Sequence, residues 1–268
     1  MNTTSDKPLF MDGTKLERHI EEVVKWKQGQ WFAPIHMEIS LTNVCNQHCK
    51  FCYIDWSHGK QRMPEEMLTS LIRDAKRLGM KSALIAGEGE PTLNKAWVKG
   101  IEAAGEAGLD MALNSNMVMV SEEDLQRALP HLSWLRCSVQ AGNADLYASI
   151  HTAPAAHFDR AIGNIRRAAE IKRQHGLKLA IGVQQVLTRE NGADAANLAR
   201  LARDIGADYY VIKPCHPHEY NQYKRSSDLV SEFRDVLLEA QSLSTDSFKA
   251  VVRWNFLAEA DQPRTYDR

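Results

Sequence analysis

The chain of 268 residues is long enough to bury a substantial core, and its composition, 44% hydrophobic and 25% charged, is typical of a soluble globular protein. Lysine and arginine (33) balance aspartate and glutamate (34), which leaves no basic excess to bind nucleic-acid phosphates. No apolar run could span a bilayer and no export signal opens the chain, so we expect a cytoplasmic protein with neither membrane nor nucleic acid as partner. In the reducing cytoplasm, the five cysteines of the chain favour metal binding or chemistry over disulfides.

Regular secondary structure is predicted along most of the chain. Residues 1–33 are predicted to form an N-terminal helical extension, loose as far as residue 13 and then an amphipathic helix over Leu16–Lys27. Strands and helices then alternate. The predicted strands are Ile35–Leu41, Ser82–Ala86, Asp110–Asn114, Trp134–Gln140, Lys178–Leu187, Asp208–Lys213 and Phe248–Trp254. The predicted helices are Pro64–Leu78, Lys95–Ala107, Ser121–Leu129, Asp159–Gln174, Ala193–Ile205 and Leu229–Leu243.

This alternation predicts an α/β fold with a parallel sheet and helical crossovers. Such a series can curl into a partial barrel or lie flat as an open doubly wound sheet, and the periodicity does not distinguish the two. In both architectures functional residues gather where the strands end, at their C-terminal edge.

The loop after the first predicted strand carries Cys45, Cys49 and Cys52 at C-x3-C-x2-C spacing. Thiolates are soft ligands that select zinc, copper or iron–sulfur clusters, and three of them are one short of a closed four-ligand site. The residues leave two interpretations open. One is a cluster with an iron open to a ligand other than cysteine, and the other is a zinc site completed by His48 or His58, with nucleic acid as partner.

A second candidate segment, Gly87-Glu88-Gly89-Glu90-Pro91, follows the second predicted strand. Glycines at the end of a strand let the backbone approach a ligand closely, and a carboxylate at such a position can receive an ammonium group. The segment also fits an ordinary turn between a strand and a helix. Its position at the same sheet edge as the cysteine loop favours the functional interpretation.

Together these segments resemble the radical S-adenosylmethionine (SAM) superfamily, whose signature is C-x3-C-x-aromatic-C with Phe51 in the aromatic position. The resemblance implies a [4Fe–4S] cluster bound by the three cysteines, with SAM chelated on the open iron through its amino and carboxylate groups. It implies a partial (β/α)6 TIM-like barrel of parallel strands over residues 34–254. It also implies an electron donor such as flavodoxin or ferredoxin.

The resemblance extends to contacts with SAM. Glu90 matches the glutamate of the family's GGEP segment, which binds the SAM amino group. Glu88 replaces the first glycine of that pair and lies between Gly87 and Gly89, so the departure leaves its role open. Phe51 is expected to lie against the adenine.

Two later segments also resemble the family's pattern. Asn114-Ser115-Asn116-Met117 resembles its TNG segment, with Asn116 as the expected contact. Ser138-Val139-Gln140-Ala141-Gly142 resembles SLDG-like segments, so Ser138 and Gln140 are expected to contact the SAM ribose or carboxylate. Gln140 stands where an acidic residue is usual.

Cys215, in the polar loop after the sixth predicted strand, is a candidate hydrogen-atom donor, because a thiol S–H is weak enough to quench a carbon radical. Such a donor would make the enzyme an epimerase, and a structural thiol is the alternative. Cys137 is predicted to lie in the core. Residues 255–268 form a predicted tail that resembles the approach to an auxiliary-cluster (SPASM or twitch) module, whose further cysteines the chain lacks.

The expected function is therefore that of a radical SAM enzyme. The deoxyadenosyl radical from SAM would abstract hydrogen from a small-molecule substrate, with a sugar or nucleotide-sugar favoured. The alternatives are a peptide-modifying epimerase or crosslinking enzyme and, from another class, a zinc-bound nucleic-acid-binding protein.

Overall fold

The computed structural model describes residues 14–54, 60–216, 218–220, 222–223 and 229–259. Its strands are β1 (His36–Ser40), β2 (Ser82–Ala86), β3 (Asp110–Ser115), β4 (Leu132–Ser138), β5 (Ala180–Leu187), β6 (Tyr209–Pro214) and β7 (Lys249–Val252). The α-helices in this part of the chain are α1 (Ile20–Lys27), α2 (Glu65–Arg77), α3 (Ala96–Ala107), α4 (Glu122–Ala128), α5 (Ala144–His151), α6 (Ala156–Gln174), α7 (Ala195–Asp204), α8 (Leu229–Glu232), α9 (Arg234–Ser242) and α10 (Trp254–Glu259). Every strand predicted from the sequence is present.

The strands form one sheet in which neighbours in the chain are neighbours in space, in the order β1 to β7, and every pairing is parallel. A doubly wound sheet reverses its strand order at a switch point, and this sheet never does. The consecutive order is that of a TIM-like barrel wall, which confirms the partial barrel, with the short β7 as a seventh strand.

Side chains alternate between the two faces of each strand, and the two faces are covered differently. Outward residues such as Ile39, Ile85 and Leu135 pack beneath the helices in the main core, which also contains Cys137, as predicted. Inward residues form a separate, smaller cluster, Leu84, Ala86 and Ala112 with Trp134 packed against it. The lumen of the barrel is therefore apolar only in part.

An aromatic ring crosses the lumen beside Gly182. A Cβ atom at this glycine would lie 2.0 Å from Cζ of Tyr209, so the ring occupies the space that any other residue would fill. Gly182 and Tyr209 are register partners on β5 and β6. Because the ring fills this level of the barrel, the open space lies nearer the C-terminal ends of the strands.

Helix α5 was absent from the sequence prediction. Its N-cap is Asn143, whose side chain accepts a hydrogen bond from the backbone N–H of Leu146 at 3.0 Å. Asparagine directly after Gly142 was the available signal. The omission matters because α5 carries Tyr147 and His151 to the cysteine loop.

Several predictions lie partly or wholly outside the described residues. These are the loose segment 1–13, the zinc alternative through His58, and the tail beyond residue 259. Helix α10 occupies the start of the predicted tail. The division into extension, barrel and tail stays a prediction. Within the described residues, no helix has the length and apolar character needed to cross a bilayer.

Candidate active site

A cavity of about 430 Å³ lies at the C-terminal ends of the strands. Its volume is in the range of small-molecule and cofactor sites. With one exception, every candidate residue from the sequence lines it: Cys45, Cys49, Phe51, Cys52, Gly87, Glu88, Gly89, Glu90, Asn116, Ser138 and Cys215. The barrel thus brings together residues that are up to 170 positions apart between Cys45 and Cys215 in the chain.

Gln140, an expected SAM contact, is the exception and does not line the cavity. Its side chain is fully buried, and its Oε1 accepts a hydrogen bond from the Val186 backbone N–H at 2.7 Å. The Asn191 side chain in turn donates to the Gln140 carbonyl at 3.0 Å. Gln140 therefore joins the end of β4 to the end of β5.

The cysteine loop is held by hydrogen bonds at both ends. Near its start, Oγ1 of Thr42 accepts from the Val44 N–H at 3.1 Å and donates to the Gln61 carbonyl at 2.6 Å. Further along, the N–H groups of His48 and Lys50 donate to carbonyls in the last turn of α5, both at 3.0 Å. These carbonyls are otherwise left without partners at a helix C-terminus, so the loop caps α5.

The three thiols fit a cluster better than a single metal ion. Burial raises the pKa of Cys45 to about 12 and raises the pKa values of Cys49 and Cys52, so the thiolates need a compensating positive charge, which iron supplies. Among the described residues, no group of three Cys, His, Asp or Glu side chains could hold one metal ion. In a [4Fe–4S] cluster each cysteine binds a different iron, so no such convergence is required.

His151 lies directly against one of these thiols. Its Nδ1 is 3.1 Å from Sγ of Cys49, and its ring packs on Tyr147 with centroids 4.0 Å apart. The side chain is fully buried, and burial lowers its pKa to about 3, which keeps the imidazole neutral. A thiolate only accepts hydrogen bonds, so a neutral His151 facing a metal-bound Cys49 carries its proton on Nδ1 and donates it toward sulfur.

The glycines of the second segment permit contact between two backbones. Gly87 has φ +116°, and a Cβ atom there would lie 2.6 Å from Cβ of Ser40. A Cβ atom on Gly89 would lie 2.3 Å from the carbonyl oxygen of Val44, at the start of the cysteine loop. The next N–H, from Glu90, donates to that same carbonyl at 2.9 Å. The segment therefore packs directly on the cysteine loop.

Glu90 is a buried carboxylate with four donors. Its Oε1 accepts from the Thr92 N–H at 3.1 Å and from the hydroxyls of Thr92 and Ser115, each at 2.7 Å. Its Oε2 accepts from the Asn116 N–H at 2.8 Å. Burial raises the pKa of Glu90, and these hydrogen bonds oppose that shift. With a single bond to Oε2, the carboxylate keeps capacity to accept from an ammonium group.

The opposite wall of the cavity carries two cations that were not among the candidate site residues. The cations are Arg136 on β4 and Lys213 on β6, and both line the cavity. Glu38 on β1 is a further charged residue of the lining. The guanidinium of Arg136 lies 4.6 Å above the Trp134 ring, and its Nε donates to the Tyr209 hydroxyl at 3.4 Å. Polar residues at inward positions of otherwise apolar strands were the signal that could have identified all three.

Cys215 is half-buried and lines the cavity, close to Lys213. Burial raises its pKa to about 11, and the Lys213 charge opposes the shift, so the group is a protonated thiol at neutral pH. The other free cysteine outside the loop, Cys137, is fully buried in the core. The two thiols therefore occupy different environments.

Comparisons with known proteins agree with this site. The chain is 25% identical over 183 residues to a probable GTP 3′,8-cyclase of Saccharolobus solfataricus, an alignment that covers 68% of this chain and 57% of the relative. It is 22% identical over 211 residues to the tungsten-containing aldehyde ferredoxin oxidoreductase cofactor-modifying protein of Pyrococcus furiosus, covering 72% and 56%. This chain thus spans little more than half the length of these curated relatives.

Solved structures share the fold. SuiB of Streptococcus suis bound to SAM superimposes with a TM-score of 0.72 at 17% identity, over 94% of this chain and 58% of SuiB. The enzyme anSMEcpe with bound SAM and a peptide superimposes with a TM-score of 0.59 at 14% identity, over 82% and 64%. The model of the radical SAM superfamily matches residues 39–202, more than half of the chain. The protein is an enzyme of the radical SAM superfamily, whose members use a [4Fe–4S] cluster and SAM.

Proposed function

We propose that this enzyme cleaves SAM reductively at a [4Fe–4S] cluster held by Cys45, Cys49 and Cys52 and abstracts hydrogen from a small-molecule substrate. A sugar or nucleotide-sugar is the favoured class. The observation that carries the proposal is one cavity, lined by the three cysteines, by Glu90 and by polar residues of the opposite wall. The relative described as a probable GTP 3′,8-cyclase supports a nucleotide-containing substrate.

Each residue has a role that follows from its position. A [4Fe–4S] cluster held by Cys45, Cys49 and Cys52 would supply, from a donor such as flavodoxin or ferredoxin, the electron for reductive cleavage of the SAM sulfonium. Glu90 receives the methionyl ammonium on Oε2, Phe51 offers its ring to the adenine, and Ser138 offers a hydroxyl to the ribose or carboxylate. The apolar inward cluster keeps water and stray hydrogen donors away from the reacting atoms.

The proposal is tested by substituting each cysteine of the loop with alanine, with Cys137→Ala as the matched control. Losing one of three thiolate ligands should abolish cluster assembly and formation of 5′-deoxyadenosine. The core variant should keep both, although the cavity left behind will cost stability. Iron content and 5′-deoxyadenosine are measured after anaerobic reconstitution. Full iron content in Cys49→Ala would remove the cluster assignment.

A second candidate reaction is epimerisation, because Cys215 lies at the cavity and not in the core. In that reaction the thiol gives a hydrogen atom to the substrate radical, and the thiyl radical left on Cys215 takes one electron from the flavodoxin- or ferredoxin-type donor and one proton from solvent to restore the thiol. Because the thiol hydrogen exchanges with solvent, it labels the product. We expect one solvent deuterium on product carbon in deuterated water, lost in Cys215→Ala while 5′-deoxyadenosine still forms. Mass spectrometry of the product measures this label. A wild-type product without deuterium would leave Cys215 as a structural thiol.

A further inference from the structure

The charged residues of the cavity are segregated by side. Glu88 and Glu90 belong to the loop after β2, next to the cysteine loop, whereas Arg136 belongs to β4 and Lys213 to β6. Glu38 on β1 completes the charged lining. The carboxylates and the thiols of the cysteine loop thus occupy the β1–β2 side of the cavity, and the cations occupy the β4–β6 side. Such a division orients a ligand that carries both charges or fixes two ligands of opposite charge.

Neither cation is paired with a carboxylate in the part of the chain that the structure describes. Among the described residues, no carboxylate forms an ion pair with Arg136 or Lys213, and Lys213 makes no hydrogen bond. The polar contact of Arg136 is the Tyr209 hydroxyl. Burial, the Arg136 charge and the Arg253 charge lower the pKa of Lys213, while Glu38 and Cys215 act in the opposite direction. Two part-buried like charges repel each other, and an anion that binds both would offset that repulsion.

We propose that Arg136 and Lys213 form an oxyanion subsite that receives a carboxylate or phosphate group of the substrate. The inference rests on the proposed function, which assigns SAM to the cysteine loop, Glu90 and Ser138 in the same cavity. It narrows the substrate to an anionic small molecule. The planar guanidinium can bind two oxygens of one group, and the ammonium of Lys213 adds a point charge.

The geometry separates this subsite from the carboxylate of SAM. The amino and carboxylate groups of SAM share one carbon atom, so both must lie near the group that binds the amine. Glu90 is hydrogen-bonded to Ser115 and Asn116 at the end of β3, whereas Lys213 is on β6. Three strand spacings amount to roughly 14 Å along the sheet. Lys213 therefore projects from a different part of the barrel wall than the residues that hold Glu90, and the SAM titration of Lys213→Met below distinguishes the two sites.

Calorimetric titration of the reconstituted, SAM-saturated protein with inorganic phosphate, pyrophosphate and succinate, in chloride buffer, tests the subsite. We expect saturable binding of at least one of them, weakened by about ten-fold or more in Lys213→Met and in Arg136→Gln. Glu38→Gln should strengthen the same binding, because it removes a negative charge from the wall. Lys178→Met, an exposed position outside the cavity, should leave it unchanged.

Opposite directions in Lys213→Met and Glu38→Gln distinguish lost charge from misfolding. Absence of saturable binding in the wild type, or equal affinity in Lys213→Met, overturns the subsite. If Lys213→Met binds SAM more weakly while its oxyanion binding is unchanged, the Lys213 ammonium belongs to the SAM site. That result also overturns the oxyanion subsite. Failure of the proposed function is a separate result: no 5′-deoxyadenosine forms, while oxyanion binding still depends on Lys213.

Discussion

Glu90 shows how one side chain serves both structure and ligand. Its carboxylate joins the loop after β2 to the end of β3 through Ser115 and Asn116. Removing it by alanine would lose four hydrogen bonds, so a loss of SAM binding could follow from loop disorder alone. Glutamine keeps the size of the side chain and an acceptor oxygen and removes the charge that an ammonium group requires.

We therefore predict that Glu90→Gln weakens SAM binding and leaves the cluster in place. A hydrogen bond between charged groups contributes about 1.5–3 kcal/mol, or about one to two decades in the dissociation constant. Calorimetric titration of the reconstituted variant with SAM measures it. Glu106→Gln, an exposed position on α3, serves as the control. An unchanged SAM affinity in Glu90→Gln would remove this carboxylate from the SAM site.

His151 predicts a property of the cluster that does not depend on substrate. With its proton on Nδ1, His151 donates a hydrogen bond to the sulfur of Cys49. Reduction adds negative charge to the cluster and to the sulfurs that bind it. The donor thus stabilises the reduced state more than the oxidised state. In His151→Phe the reduction potential should fall by on the order of tens of millivolts.

The potential is measured by redox titration with electron paramagnetic resonance of the reduced cluster. Phenylalanine keeps an aromatic ring against Tyr147, which limits the loss of packing. His175→Phe, at an exposed site after α6, is the control and should keep the wild-type potential. If His151→Phe assembles a full cluster with the same potential, the histidine only packs against the loop.

At the scale of elements, the contact between the cysteine loop and the loop after β2 requires glycine at position 89. A Cβ atom on Gly89 would lie 2.3 Å from the Val44 carbonyl oxygen and 2.6 Å from that of Thr42. These are backbone atoms of a loop fixed by hydrogen bonds, so they cannot move aside as a flexible side chain would. A single methyl group would separate the loops.

We predict that Gly89→Ala destabilises the protein by about 1–3 kcal/mol and lowers iron incorporation. Gly163→Ala is the matched control, since nothing lies within 4 Å of a Cβ atom there and the residue is inside α6. Alanine at that helical position should stabilise by about 0.5–1 kcal/mol. Denaturant unfolding of the apoprotein measures both. Equal stability of Gly89→Ala and wild type would show that the loops can separate freely.

The elements also show which local patterns could be read in advance. Strands β1 to β7 were predicted because apolar runs bounded by glycine, proline or polar residues identify buried parallel strands. Helix α4 was predicted to begin at Ser121, which forms a capping box with Asp124. Helix α5 was missed, since its eight residues carry a weak periodic pattern and only the Asn143 cap marked its start.

At the scale of the whole molecule, the parallel sheet places the loops that follow successive strands at one edge. Each strand delivers its following loop to the same edge, so the cysteine loop, the Glu90 loop and the Asn116 loop meet there. That convergence was predictable for residues at strand ends, because parallel strands all end on one side. For residues within strands the available signal was a polar side chain in an otherwise apolar strand, because the face that such a residue occupies depends on the pleat and on the curvature of the wall.

The sequence by itself determined where the strands lie along the chain and which edge carries the chemistry, and the cysteine spacing together with the family resemblance determined the cofactor class. Cysteine spacing and strand periodicity are local properties, so they can be read without knowing which residues meet. Tertiary structure alone decided the rest. It placed His151 against Cys49, turned Gln140 away from the cavity, and directed Arg136 and Lys213 into it. These outcomes depend on how a curved sheet brings together residues that are far apart in the chain. A local sequence pattern does not contain the spatial separation of such residues.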